Sequence, residues 1–425
     1  MDHRTSSKVS VAGWAAATFA ALLASYSAFR PVRDALILDG DPDQLPWLFL
    51  VTFVAISVAS PAWSALLARR APRRFVPWAF HAFALCAIGF ALVVRAELSP
   101  ITVGRVFYVW SAVFNLFVIS VFWSLLADLF GTDTARQLYG PIAAGGTIGG
   151  IVGPFLTSQL VGRIGVAGVL VMSAVLLELA VLGVIRVRRI AAQLASALAA
   201  PIEPDQPPGG GALTGIAHVA RSRYLSGIVG YVLCTAFAAT FMYLAQSRLV
   251  HDALTDRVAR TSYFATIDTW TAVVTLALQT GVAGPAIRRF GPGVVLAVLP
   301  IAQLVGISVL SLAPSLAALA ILQVIGKSAT HGLTRPAREL LFTVVSRDEK
   351  YRAKHAIDTI GYRLGDFASS WLYKGLLAIG AGTSVLVGAA IPLAAIWLAL
   401  ATTLGVGFRR RVTERAPRSL PQEPS

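Results

Sequence analysis

Between residues 323 and 339 the sequence reads "QVIGKSATHGLTRPARE", flanked by the apolar runs "SLAALAIL" and "LFTVV". Gln323, Lys327, His331, Arg335 and Arg338 follow one another at intervals of 4, 4, 4 and 3 residues, so an α-helix carries them along one face. A charge in hydrocarbon is costly, so such a row must face water or an anionic partner. The chemistry that fits it is anion binding. Lys327 and His331 stand nearest the middle of the apolar run and, with Gln323, are candidate substrate contacts. Arg335, Arg338 and Glu339 precede its end and form a candidate charge network; snorkelling or pairing across a helix bundle is the alternative role.

Two further polar rows accompany this one. In "KHAIDTIGYRLGDFASSWLYK", Asp358, Tyr362, Asp366 and Ser370 recur every fourth residue, with Arg363 within reach of Asp366. These carboxylates either neutralise nearby cations or, through burial, carry a coupling proton. Near the start of the chain, Tyr26, Arg30 and Arg33 recur at spacings of 4 and 3, with Asp34 adjacent, and Asn115 lies amid another apolar run. Tyr26, Arg30, Arg33 and Asn115 are candidate substrate contacts and Asp34 belongs to the charge network. Anchoring at an outer helix end is the alternative for the two arginines. Pro31 lacks an amide proton and interrupts helical hydrogen bonding beside them.

The elements that must position these residues are membrane spans. The chain of 425 residues is 56% hydrophobic and 13% charged, with a mean hydropathy of +0.70, outside the soluble globular range. Apolar runs of about 20 residues cross a hydrocarbon core of about 30 Å. Twelve are expected, at 11–38, 46–68, 75–95, 101–130, 136–162, 165–187, 223–248, 262–287, 292–312, 315–345, 354–379 and 383–408. The first has no small-residue cleavage site after it and is read as a retained helix, not a signal peptide.

The formal charge of +15 is concentrated in alternate loops, at Arg69, Arg70, Arg73 and Arg74, at Arg186, Arg188 and Arg189, at Arg288 and Arg289, and at Arg409, Arg410 and Arg411. That alternation is topological anchoring and not a nucleic-acid surface, and it places both termini in the cytoplasm. Cys86 and Cys234 fall inside apolar spans without metal or redox spacing and are read as packing residues. A shift of 215 superimposes "RRF" at 73–75 on "RRF" at 288–290 and Arg33 on Arg248, so the chain repeats. The expected organisation is an N-terminal six-helix bundle (1–189), a cytoplasmic Pro/Gly-rich linker (190–222), a C-terminal six-helix bundle (223–411) and a cytoplasmic tail (412–425). Gly145, Gly146, Gly149, Gly150 and Gly153 make small-xxx-small pairs, either a packing seam or a sliding surface near Pro154.

Twelve spans in two parallel six-helix halves resemble the major facilitator superfamily, which implies an all-α polytopic fold with substrate held near the midplane between the halves. A narrower resemblance is carried by "YSAFRPVRDALIL", "KHAIDTIGYRLGD", "FYVW" and "FW" at 122–123. They resemble motifs of the ATP/ADP translocases, nucleotide exchangers whose first span runs Arg-x-x-Lys-Asp-x-Leu. The resemblance implies substrate roles for Arg30, Arg33 and Asp34 and membership of a second motif for Lys354 and Asp358. It departs where Arg33 replaces a lysine, where Asp366 stands for a lysine, and where span four lacks a glutamate near Ala112 and Asn115. Asp for Lys reverses the charge and repels phosphate at that point.

The expected function is secondary active transport of an organic or phosphorylated anion by alternating access in the bacterial inner membrane. ATP/ADP-type nucleotide exchange and a non-transporting membrane scaffold are the alternatives. An enzyme is disfavoured: HExxH, Cys/His clusters, G-x-S-x-G and a Walker lysine are all missing from the sequence. Energy must then come from gradients. The expected partners are a small anion, with a nucleotide as one candidate, and the lipid bilayer; no cofactor, metal or nucleic acid is called for, and a monomer is expected.

Overall fold

A computed structural model of the chain describes residues 3–69, 72–130, 132–195, 222–345 and 362–415. Those residues are helical apart from short connections, with no strand among them. In chain order the helices are α1 (His3–Leu36), α2 (Leu45–Arg69), α3 (Pro72–Arg95), α4 (Pro100–Leu129), α5 (Thr132–Ala195), α6 (Arg223–Ala253), α7 (Arg257–Ala277), α8 (Ala283–Leu312), α9 (Leu316–Ala329), α10 (Arg335–Leu341), α11 (Tyr362–Ala378), α12 (Thr383–Gly388) and α13 (Ile391–Arg415).

Among the described residues nine segments are long and apolar enough to cross a membrane. Two of them, Gln137–Gln193 and Arg257–Leu312, run to 57 and 56 residues, twice a bilayer's thickness. Each doubles back at a glycine: Gly165 (φ 69°) inside α5 and Gly291 (φ 79°) inside α8 adopt left-handed backbone that a side chain would resist. These breaks fall at the expected junctions between spans five and six and between spans eight and nine. Residues 346–361, which hold the start of the expected eleventh span, lie outside the described residues, as do 196–221 of the expected linker.

The chain forms two compact units, the first from Met1–Gln206 with Ser247–Val273, the second from Pro207–Gln246 with Val274–Ser425. Most of α7 and the end of α6 therefore pack with the N-terminal helices. Large apolar side chains such as Trp78, Leu92, Leu182, Val305 and Ile321 are exposed, the inverse of a soluble protein and the arrangement lipid requires.

In the first unit α1 lies against α5 along a seam of small residues. A Cβ on Gly145, Gly149 or Gly153 would collide with the backbone oxygens of Ala16, Ala20 and Ala24 respectively. One turn on, the Thr157 hydroxyl donates to Ala28 O at 2.8 Å. Past the Gly165 break, Ser25 and Ser173 exchange hydroxyl-to-carbonyl bonds of 2.8 Å. Lipid gives helices no hydrophobic reason to associate, so close backbone approach and such hydrogen bonds hold the pair. Phe29 packs edge-on against Tyr26, Phe107 and Phe114, joining α1 to α4.

In the second unit the Tyr231 hydroxyl donates to Leu296 O at 2.8 Å and its ring meets buried Trp397 edge-on, which ties α6, α8 and α13 together. Gly293 and Gly405 bring α8 and α13 into backbone contact. The expected span over 315–345 is present as Leu316–Val344, but its helix is irregular. A π-turn at Thr330–Thr334 separates α9 from α10, and a 3-10 turn follows at Phe342–Val344. Pro336 supplies the reason: it has no N–H for the Gly332 carbonyl and its ring crowds that oxygen, so the turn widens by one residue.

Candidate functional site

In the first unit the candidate residues gather at the C-terminal part of α1. Arg30 makes a two-pronged ion pair with Asp268 of α7, Nε to Oδ2 at 2.9 Å and Nη2 to Oδ1 at 2.6 Å. Asp268 is only 6% exposed, whereas the Arg30 side chain is 34% exposed. The guanidinium is thus held by a sunken carboxylate, in a side chain that as a whole keeps partial exposure. One helical turn earlier, half-buried Tyr26 stacks on Phe114, the neighbour in sequence of half-buried Asn115. Arg33 turns to its neighbour Asp34, with Nε and Nη2 at 2.9 and 2.7 Å from Oδ1, and lies over the Tyr108 ring at 5.2 Å.

Beyond Leu36 the end of α1 is clasped by four residues of the 247–273 segment. The Leu38 carbonyl accepts from His251 Nδ1 at 2.9 Å and from Arg260 Nη1 at 2.8 Å. Arg257 Nε donates to Asp39 Oδ2 at 2.8 Å, and Arg248 Nη1 lies 3.0 Å from Asp43 Oδ1. Elsewhere in this unit, His81 Nδ1 of α3 meets the Glu178 carboxylate of α5 at 2.8 Å, a polar pair inside two apolar spans.

In the second unit the π-turn breaks the row expected on one face. One inserted residue rotates the downstream residues by roughly 100° about the helix axis. Gln323 and Arg338 are buried, Lys327 is half-buried, and His331 and Arg335 are exposed. Gln323 Nε2 donates to Met242 O at 3.3 Å, and Arg338 Nη2 stands 3.8 Å from Glu339 Oε1. The His331 carbonyl accepts from Gln279 at 3.1 Å. Asp366 of α11 accepts from the Thr240 hydroxyl of α6 at 2.6 Å. That contact joins α11 to α6, where Gly365 leaves room for Leu233 and Ala236. Lys354 and Asp358 lie outside the described residues, as do the side chains of Tyr362 and Arg363.

The structure thus brings Arg30, Tyr26, Arg33 and Asp34 together around α1 and adds Asp268, Asp39 and Arg257, which no spacing in the sequence singles out. Asp268 left a signal: it is a carboxylate inside an apolar span, which by default marks a functional position. The chemistry available is recognition of a planar or tetrahedral oxyanion by a guanidinium fork, beside aromatic faces that could stack a flat ring. Among the described residues no group of three or more His, Cys, Asp or Glu side chains could hold a metal ion.

Similarity to known proteins bears on this geometry. The model of the TLC ATP/ADP transporter family matches residues 296–408, from α8 into α13. ADP,ATP carrier protein 1 of Chlamydia trachomatis is 24% identical over 215 residues, covering 45% of this chain and 41% of the carrier. The Chlamydia pneumoniae carrier protein 1 is 26% identical over 219 residues, covering 45% and 42%. The matched stretch spans about two fifths of the length of these curated relatives. Among solved structures, the nucleoside transporter NupG aligns over 96% of this chain and 99% of its own with a TM-score of 0.61 at 13% identity. An auto-inhibited POT family peptide transporter aligns over 98% and 99% with a TM-score of 0.60 at 11% identity. Fold and hydropathy together describe a multi-pass membrane protein, helical among the described residues, that shares its fold with these transporters. Over residues 296–408 the chain is similar to the TLC ATP/ADP transporter family, and over a comparable length, at low identity, to the chlamydial carriers.

Proposed function

We propose that this protein is a secondary active transporter that moves an organic or phosphorylated anion across a bacterial inner membrane by alternating access. The observation that carries the reading is the guanidinium fork of Arg30, set inside an apolar span one helical turn from Tyr26 and paired with the buried Asp268. Lys327 supplies cationic charge in the second unit and His331 a polar ring one turn on, and hydrocarbon solvates neither. His331 and Arg335 must then adjoin water, since they are exposed within a span. Arg33, Asp34, Arg338 and Glu339 set the local charge balance, and Asp366 either completes it or carries a coupling proton. Both termini and the 190–222 linker are cytoplasmic in this reading, and residues 1–189 and 223–411 form the two bundles. No enzymatic step is part of it.

Nucleotide exchange is the second reading, favoured by similarity to chlamydial proteins described as ADP,ATP carriers. The charge reversal at Asp366 argues for a substrate with fewer or differently placed phosphates. Flux into proteoliposomes, measured for ATP, ADP, sugar phosphates and di- and tricarboxylates, decides between them. Saturable uptake of at least one anion is expected. A protein that moves none of them, and whose thermal stability none of them raises, is a scaffold and not a transporter.

A further inference from the structure

The buried face of α7 has the wrong composition for a permanent helix interface. Arg260, Thr261, Phe264, Ala265, Ile267, Asp268 and Thr271 are all buried, and four of the seven are polar or charged. Trp270 and Val273, on other faces of the same helix, are exposed. The hydroxyls of Thr261 and Thr271 are buried without a hydrogen-bond partner among the described residues. Elsewhere on the same helix Thr266 and Thr269 satisfy theirs on carbonyls four residues back, at 2.8 Å. A hydroxyl left unpaired in a closed contact regains its bonds when the contact opens to water. The groups that clasp the end of α1, His251 and Arg260 on Leu38 O and Arg257 on Asp39, are likewise ones that water can replace.

At the centre of this face Asp268 fills the fork of Arg30 with both carboxylate oxygens. Two-pronged pairing with a guanidinium is also what an incoming carboxylate or phosphoryl group requires, so both cannot hold the same N–H donors at once.

We propose that Asp268 is a built-in competitor for the anionic substrate. Its carboxylate holds Arg30 in the empty protein, and an anion that takes the fork releases α7 from α1, so that opening of this contact is tied to loading. Asp268 is a positioning residue that acts through Arg30. The inference rests on the anion-transport reading above and deepens it.

The test uses full-length protein with Cys86 and Cys234 replaced by alanine and Thr261→Cys as a reporter in the buried face. Labelling of the reporter by a maleimide is followed without ligand and with ADP, pyrophosphate or inorganic phosphate, and affinities come from the protection or acceleration curves. The proposal expects slow labelling in the parent, faster labelling with a recognised anion, and fast, anion-independent labelling in Asp268→Asn. It expects Asp268→Asn to bind that anion about tenfold or more tightly, the scale of one charge-assisted hydrogen bond. A parent that responds to an anion while Asp268→Asn gains neither affinity nor labelling overturns the proposal alone. A parent silent to all three anions overturns the proposal and weighs against the transport reading as well. Should Asp268→Asn not purify in a monodisperse state, the exchanged pair Arg30→Asp with Asp268→Arg decides. Slow labelling restored by the exchange supports the competitor role, and fast labelling overturns it.

Discussion

Arg30 is the residue on which the anion reading turns, because its five donors lie in a rigid plane and a second cation cannot reproduce that fork. Arg30→Ala should weaken binding of a transported anion by about 1.5–3 kcal/mol, the worth of hydrogen bonds to a charged group. Arg30→Lys should recover only part of that loss, because it restores charge without the second prong. Isothermal titration of the purified variants checks both, and equal affinity in all three proteins would remove Arg30 from the site. Asp366 poses a different question at the same scale, since it accepts a hydrogen bond from Thr240 at 2.6 Å and so has a packing role open to it. If that role is the whole of its function, Asp366→Asn keeps the acceptor oxygen and leaves stability and gradient-driven accumulation intact. If Asp366 carries a proton, Asp366→Asn loses accumulation while substrate counterflow persists, because the amide has nothing to release. Accumulation and counterflow measured side by side separate the two.

The α1–α5 seam sets the scale of elements. Gly149 faces the Ala20 backbone oxygen with no room for a methyl group, whereas Gly150, one residue on, has open space at its Cβ position. Gly149→Ala should therefore cost about 1–3 kcal/mol through overpacking. Gly150→Ala should instead gain about 0.5–1 kcal/mol, the helix-interior preference for alanine. Thermal unfolding of the two variants in one detergent reads the difference, and similar shifts would contradict the seam. The small-residue face of α5 was legible in the sequence because small residues four apart are a local signal, though its partner α1 was not, and the spans were legible because a bilayer demands long apolar runs. The π-turn at Thr330–Thr334 was not: a row of cations at helical spacing looks continuous, and the strain that Pro336 imposes is resolved only by the packing of α9 and α10. Asp268 was visible as a charge in a span, yet its partner lies 238 residues away and no local spacing links them. The same distance hid the clasp on Leu38 and Asp39, made by residues that the sequence marks only as the ends of spans seven and eight.

For the whole molecule, the proposed orientation rests on the reluctance of arginine-rich loops to cross the membrane. Cysteines introduced at Gln206 and Leu420 should resist an impermeant thiol reagent in intact cells and react in inside-out vesicles. Reaction of either from outside would reverse the topology. Anion transport is the proposal that the whole molecule must meet. The most direct measurement is counterflow: labelled ADP supplied outside proteoliposomes that are either empty or loaded with unlabelled ADP, with the other anions run in the same format. Transport through this site predicts saturable uptake of at least one of these anions, faster into loaded vesicles and lost in Arg30→Ala. Uptake that Arg30→Ala leaves unchanged, or none for any anion by the wild-type protein, would contradict it.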